Sequence, residues 1–338
     1  MEATSDVFID KPGTFIGKKS RRIVVRTPQG EHQEYSLLKL KEITVAGKGI
    51  SFSTDLLYQA VKLGVRISFV DRLGRHYVTV ASPYLTQTIE TARAQMKSYD
   101  TPKRFELAKA IILQKITNQI KLVRYFFDRG GDIPDGETRQ KLQGYIFSME
   151  GICAELKSQV LSEETGREAL FSFEGRAANL YWEAFGILVS DEAEFPGRKG
   201  RGAKDFVNVL LNYGYAMLFA KVETAVLSCG FLPFAGFLHA DRPGKPSFVL
   251  DIMELFRQPI VDHVVLQYLV GRERVTEIDQ NILRDFSRKV QARLAEKTPP
   301  LGGKRYGWQY LIYLQTQLIS SFLKGERQLL VYESYGAV

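Results

Sequence analysis

Two hydrophobic periodicities divide the chain. Over the first part, to about residue 85, short apolar runs rich in β-branched residues alternate with turn signals, the pattern of strands. Arg22–Thr27 (RIVVRT) predicts a strand that ends at Pro28-Gln29-Gly30, and EHQEYS then starts the second arm of a hairpin. Ile43–Ala46 (ITVA) predicts another strand, stopped by Gly47-Lys48-Gly49. One helix interrupts this region. Ser53 suits its N-cap, Leu56, Leu57, Ala60 and Val61 share a face, and Gly64 suits its end. Val65–Val70 (VRISFV) and Arg75–Val80 (RHYVTV) flank Asp71–Gly74 as a second hairpin. After Pro83 the spacing changes to 3.6. Thr101-Pro102 reads as an N-cap with a first-turn proline. Behind it Leu107, Ile111, Ile116, Ile120 and Val123 line one side of a long helix. Asp128–Gly136 (DRGGDIPDG) predicts a loop, and nearly every later segment to about residue 324 reads as helix. The fold class expected is α+β: a small β-rich domain over residues 1–85, a linker over 86–100, and a larger all-α domain over 101–338.

Composition narrows the classes. The chain has 338 residues, beyond the roughly 250–300 at which single cores split, which agrees with two domains. Lys+Arg is 46 and Asp+Glu 38, a net charge of +8 that permits nucleic acid, acidic lipid or acidic protein as partner. The two cysteines, Cys153 and Cys229, are too few and too distant for a disulfide framework or a thiolate zinc site. The opening MEATSDVFID carries acid where a secretion signal carries base. No apolar run approaches the roughly 18 residues that span a bilayer, so a soluble, cytoplasmic protein is expected. No P-loop, zincin, nucleophile-elbow or dinucleotide fingerprint occurs. Any histidine chemistry must choose among His32, His76, His239 and His263.

Three segments could carry chemistry. FEGRAANLYW (Phe173–Trp182) reads as a helix with Glu174 in its first turn, where the dipole alone would explain a carboxylate. NVLLNYGY (Asn208–Tyr215) puts Asn208 and Asn212 on one helix face, where two amides need partners if buried. In GFLHADRPGKPSFVLDIMELFR, His239 precedes a Pro/Gly loop with Arg242, and Ser247 can cap the next helix. Asp251, Glu254 and Arg257 then follow at successive i+3 steps, close enough on one face to be neighbours. Hard carboxylate oxygens beside guanidiniums suit a metal-plus-phosphate site. A salt bridge between Glu254 and Arg257, with a structural His239, accounts for the same residues equally well. Basic residues cluster at Lys289, Arg293 and Lys297 on one helix face, at Arg198, Lys199, Arg201 and Lys204 in a Gly-containing loop, and at Lys18, Lys19, Arg21 and Arg22 in a turn. Each cluster is also compatible with an ordinary solvated surface.

Taken in order, FEGRAANLYW, NVLLNYGYAMLFAKVETAVLSCGFLPFAGFLH and GKPSFVLDIMELFRQPIVD resemble the universal CRISPR adaptation integrase family, the metal-dependent DNA endonuclease of spacer acquisition. GKGISFSTDLLYQAVKLGVRISFVDRLGR is similar to that family's β-domain, so the resemblance covers nearly the whole chain. It implies a β-domain that forms a homodimer and an α-domain that is catalytic and binds metal and DNA. It implies Mg²⁺ or Mn²⁺ held by Glu174, His239 and Glu254, with Asp251 as neighbouring acid and Arg242 and Arg257 facing DNA. Some members carry aspartate where this chain has Glu254. The implied reaction is attack of a DNA 3′-hydroxyl on a phosphodiester of the repeat array, with endonuclease activity on DNA, branched DNA included. The implied partners are two double-stranded DNA segments, the captured fragment and the array, and a small ferredoxin-like second adaptation subunit. A general metal-dependent nuclease and a catalytically silent DNA-binding scaffold are the competing readings.

Overall fold

The computed structural model describes residues 6–40, 42–70, 76–80, 89–129, 136–161, 166–189, 193–200, 202–269, 278–298 and 305–332. The fold is α+β, and the chain divides into two compact units, Met1–Thr86 and Gln87–Val338.

The first unit holds two four-stranded sheets. Its strands are β1 (Asp6–Ile9), β2 (Phe15–Lys19), β3 (Arg22–Arg26), β4 (His32–Ser36), β5 (Glu42–Ala46), β6 (Ser51–Phe52), β7 (Arg66–Val70) and β8 (His76–Val80). Their order is β1-β5-β7-β8 in one sheet and β4-β3-β2-β6 in the other. The RIVVRT/EHQEYS hairpin forms as expected, with Val24 opposite Glu34. β7 and β8 also pair antiparallel, while the turn expected at Asp71–Gly74 lies outside the described residues. Between β6 and β7 runs α1 (Thr54–Lys62), capped by Ser53 Oγ, which accepts from Leu56 N at 3.3 Å. Gly64 follows at φ +75°, the left-handed step that turns the chain out of the helix. β-Branched residues fill the centre: Ile16, Ile23, Ile43 and Ile67 are fully buried, together with Leu56.

The second unit is helical: α2 (Ile89–Tyr99), α3 (Lys103–Arg129), α4 (Gly136–Ser158), α5 (Gly166–Leu188), α6 (Phe206–Ser228), α7 (Ser247–Met253), α8 (His263–Leu269), α9 (Gln280–Ala295) and α10 (Trp308–Lys324). The 86–100 linker expected from the sequence is instead largely helix α2. Thr91, Gln95 and Ser98 are buried and α2 packs against α10. The segment is hard to recognise because its buried stripe is polar. Thr91 bonds Ser320 at 2.9 Å, and Gln95 spans Leu232 and Ala235. α3 packs along both α4 and α5, and its apolar stripe Leu107, Ile111, Ile116 and Ile120 is buried as expected. α6 packs on α7 and α10. Arg257–Asp262, between α7 and α8, winds as a π-helix, a widened turn often found at functional sites. No helix among the described residues is long and apolar enough to cross a membrane.

One close approach sets how α6 meets the π-helix. A Cβ at Gly214 would stand 2.5 Å from Val261 Cγ1 and 3.5 Å from the Phe286 ring. Gly214→Ala should destabilise the protein by about 1–3 kcal/mol, the usual cost of overpacking, measured by denaturant unfolding.

Candidate active site

α5 begins at Gly166, so Glu174 lies in its third turn and not near its N-terminus. The dipole therefore does not explain the carboxylate. Its partner comes from α3: Lys115 Nζ donates to Glu174 Oε1. The same ammonium lies 2.7 Å from Glu254 Oε2. Glu254 sits at the C-terminal end of α7, and its other oxygen accepts from Arg257 Nε at 3.0 Å. Two carboxylates from distant stretches of sequence thus converge on one cation. Asn118, one turn beyond Lys115, donates to the Leu255 carbonyl at 2.9 Å and ties α3 to the turn after Glu254.

Burial acts on Glu254 to raise its pKa, but the Arg257 guanidinium, the Lys115 ammonium and nearby His239 outweigh it and hold the carboxyl down at about 2. Lys115 shows the mirror image: burial disfavours its charge, yet Glu254 and Glu174 leave its pKa raised.

Asp251 and Glu254 do not act as a stacked pair. Asp251 is fully buried. It accepts backbone N–H bonds from Phe237 (2.6 Å) and Leu238 (3.0 Å) on Oδ2 and from His239 (2.9 Å) on Oδ1. His239 Nδ1 lies 2.7 Å from Oδ1. A carboxylate so surrounded is an acceptor, so Nδ1 is the nitrogen that donates to it, and in the neutral ring the lone pair is on Nε2. Asp251 thereby sets both the place and the tautomer of His239. Gly236 lets the backbone come this close, since a Cβ there would stand 2.7 Å from Ser247 Cβ and 2.8 Å from the His239 carbonyl. Ser247 does not cap α7, as the sequence suggested. Pro246 occupies the N-cap, and the Ser247 hydroxyl donates to the Ala240 carbonyl at 2.7 Å.

Asn208 and Asn212 do not bond across to another helix. Their side-chain oxygens accept from Arg198 at 3.0 and 2.7 Å. Asn208 also accepts from Lys199 N and donates to the Gly197 carbonyl, each at 2.8 Å. Together they clamp the basic loop, with Lys199 and Lys204 exposed and Arg201 outside the described residues. Arg198 and Arg257 both stack on the Tyr215 ring, 5.2 and 4.7 Å from its centroid. Tyr215 and Tyr181 in turn donate their hydroxyls to buried Asp262. Burial raises Asp262, although both tyrosine hydrogen bonds work against that rise. Arg242 is exposed on the loop before α7.

The basic face of α9 is only partly a surface. Lys289 is exposed on α9, whereas Lys297, also exposed, lies beyond the last residue of the helix, Ala295, and so does not share its face as the spacing predicts. Arg293 donates to the Pro259 carbonyl at 2.9 Å and stacks on Trp308 at 5.3 Å, so it braces α9. In the β-rich unit Lys19 and Arg22 both pair with Glu34.

Among the described residues no three His, Cys, Asp or Glu side chains are gathered closely enough to hold an ion. The donor set nevertheless fits a hard divalent cation. Glu174 and Glu254 already converge on a cation. Glu254 Oε2 has that ion pair but no hydrogen bond of good geometry. His239 presents Nε2 with its other nitrogen anchored. Nothing in the sequence singles out Lys115, and the contacts of Arg198 and Asp251 differ from those the spacing predicts: the first is clamped by Asn208 and Asn212, the second cradles the 237–239 backbone.

The chain matches the family of the CRISPR associated protein Cas1 over residues 7–293. A CRISPR-associated endonuclease Cas1 of Archaeoglobus fulgidus is 30% identical over 349 residues, covering 97% of this chain and 98% of the relative. Among solved structures, a casposase bound to integration product superposes with TM-score 0.80 at 22% identity, over 98% of this chain and 94% of the other. A Cas6-RT-Cas1–Cas2 complex superposes with TM-score 0.74 at 18% identity, over 98% of this chain and 36% of its counterpart.

The depressed Glu254 pKa has a measurable consequence. Its ordinary value is 4.5 and its folded value about 2, so its charge stabilises the fold fully above pH 4.5. That contribution is lost as pH falls towards 2. Glu254→Gln should make stability fall less steeply between pH 4.5 and 2, as read by denaturant midpoints across that range.

Proposed function

The chain belongs to the CRISPR-associated Cas1 family, and from that premise we propose that it is the DNA nuclease and integrase of CRISPR spacer acquisition. The observation that carries this reading is the convergence of Glu174 and Glu254 on one cation, beside a histidine whose tautomer Asp251 sets. Glu174, Glu254 and His239 through Nε2 would hold Mg²⁺ or Mn²⁺; oxygen donors suit either ion, and an imidazole favours tolerance of Mn²⁺. Such an ion, when bound, polarises a phosphodiester and stabilises the charge that develops during transfer.

The chain's own residues supply the rest. Asp251 keeps the imidazole oriented, and Arg257 fixes the Glu254 carboxylate while resting on Tyr215. Arg242, Lys199 and Lys204 lie exposed on loops where they can take backbone phosphates. In the proposed reaction the 3′-hydroxyl of a captured DNA fragment attacks a phosphodiester of the repeat array. One P–O bond forms as another breaks, and the displaced 3′-oxygen takes up a proton in place of the one the attacking hydroxyl gives up. The exchange needs no ATP. With water as nucleophile the same site cuts DNA, and the reverse reaction resolves branched DNA.

The proposed partners are the two DNA duplexes, a second copy of the chain and a small ferredoxin-like adaptation subunit, in a cytoplasmic setting. The casposase–product and Cas1–Cas2 neighbours support the first and last of these.

The test incubates a short duplex bearing 3′-hydroxyl ends with supercoiled plasmid and Mn²⁺ and looks for covalent joining. Joined product is expected. Nicking without joining would reduce the assignment to a general nuclease, and neither activity would leave a DNA-binding scaffold. Glu174→Ala or His239→Ala should abolish joining and leave DNA affinity within a few-fold of wild type, measured by gel shift; joining retained by either variant contradicts the metal-site reading. DNA affinity should also fall steeply from 50 to 200 mM salt, and a flat profile in fluorescence anisotropy would mean the basic loops are not the DNA footprint.

A further inference from the structure

We propose that Lys115 is a built-in counter-cation which a divalent ion must displace, so that loading the site exchanges one cation for another. The inference rests on the reading that Glu174, His239 and Glu254 are the metal ligands. Lys115 Nζ contacts Glu174 Oε1 and lies 2.7 Å from Glu254 Oε2. Only 12% of its side chain is exposed, against 17% for Glu174 and 4% for Glu254. With Arg257 on the other oxygen of Glu254, the four charges sum to zero without any added ion.

An ion bound to these same oxygens at the usual separation of about 2.0–2.1 Å would occupy the space the ammonium holds. A dipositive ion and an ammonium confined together in a poorly hydrated site repel strongly. Lys115 therefore leaves the carboxylates when the ion arrives.

Three properties follow. The carboxylates stay ionised and in place before loading, because a buried pair of like charges without a counter-ion would be costly. Affinity for the divalent ion is held down, since binding must also break two ion pairs. Monovalent cations are excluded, since one positive charge gains nothing over the ammonium already there.

This makes Lys115 a positioning residue, and metal binding tests it without reference to catalysis. The free-ion signal of Mn²⁺ is followed by electron paramagnetic resonance during titration of wild type, Lys115→Met and Glu174→Gln. Lys115→Met should bind Mn²⁺ at least tenfold more tightly than wild type, and Glu174→Gln should lose the site. Unchanged or weaker binding by Lys115→Met, with Glu174→Gln still losing the ion, overturns the exchange while leaving the site in place. Wild-type binding by Glu174→Gln puts the ion elsewhere and removes the site reading together with the exchange. Should Lys115→Met fail to fold, the wild-type protein carrying ¹⁵N at lysine Nζ provides the second measurement. Its Lys115 resonance, identified by its absence in Lys115→Arg, should shift on Mg²⁺ titration; a resonance unmoved at saturating Mg²⁺ overturns the proposal.

Discussion

The polar centre of the helical unit depends on one constraint: the buried Glu174 and Glu254 carboxylates must each face a cation, which is here the Lys115 ammonium. Taking two carboxylates out of water is costly unless each finds an opposite charge and hydrogen bonds. Lys115 and Arg257 provide these, and their supply dictates the surroundings. α3 must run alongside α5 to bring Lys115 to Glu174, and Asn118 fastens the same helix to the turn after Glu254. Arg257 needs its own support, which Tyr215 gives from below and Asp262 stabilises through the Tyr215 and Tyr181 hydroxyls. The polar layer is thus continuous from the ion pairs to the middle of the helical core.

Much of this was legible in the sequence, and the losses have physical causes. Period-two and period-3.6 patterning located the antiparallel hairpins and the long helices, because those elements bury one apolar face each. The parallel pairings of β1 with β5, β5 with β7 and β2 with β6 left no comparable trace, since partners far apart in sequence share no turn. α2 carries no apolar stripe by which to recognise it, because Thr91, Gln95 and Ser98 form its buried side.

At the site, Glu174, His239 and Glu254 were named through motifs, and the structure puts the two glutamates on one cation. Their relations were less legible. Spacing placed Asp251 beside Glu254, whereas Asp251 faces the backbone of 237–239 and Glu254 faces Lys115. Lys115 itself lies 59 residues before Glu174, on a helix with several other lysines, and nothing local separates it from them. Arg293 shows the opposite error: it shares a basic face with Lys289 and Lys297 by spacing, yet packs on Trp308.

The anchoring of His239 has a consequence for the loop that follows it. Asp251 holds the imidazole through Nδ1 and the chain beneath it through the His239 N–H, and the chain is fastened again where the Ser247 hydroxyl donates to the Ala240 carbonyl. The stretch between these fastenings, Asp241–Gly244, is exposed, yet Asp241 Oδ1 accepts from Gly236 N at 3.0 Å and ties it back to the turn that carries the ring. The imidazole is therefore placed by a turn pinned at Gly236, along residues 237–239 and at Ala240, which leaves Arg242 and Pro243 facing solvent.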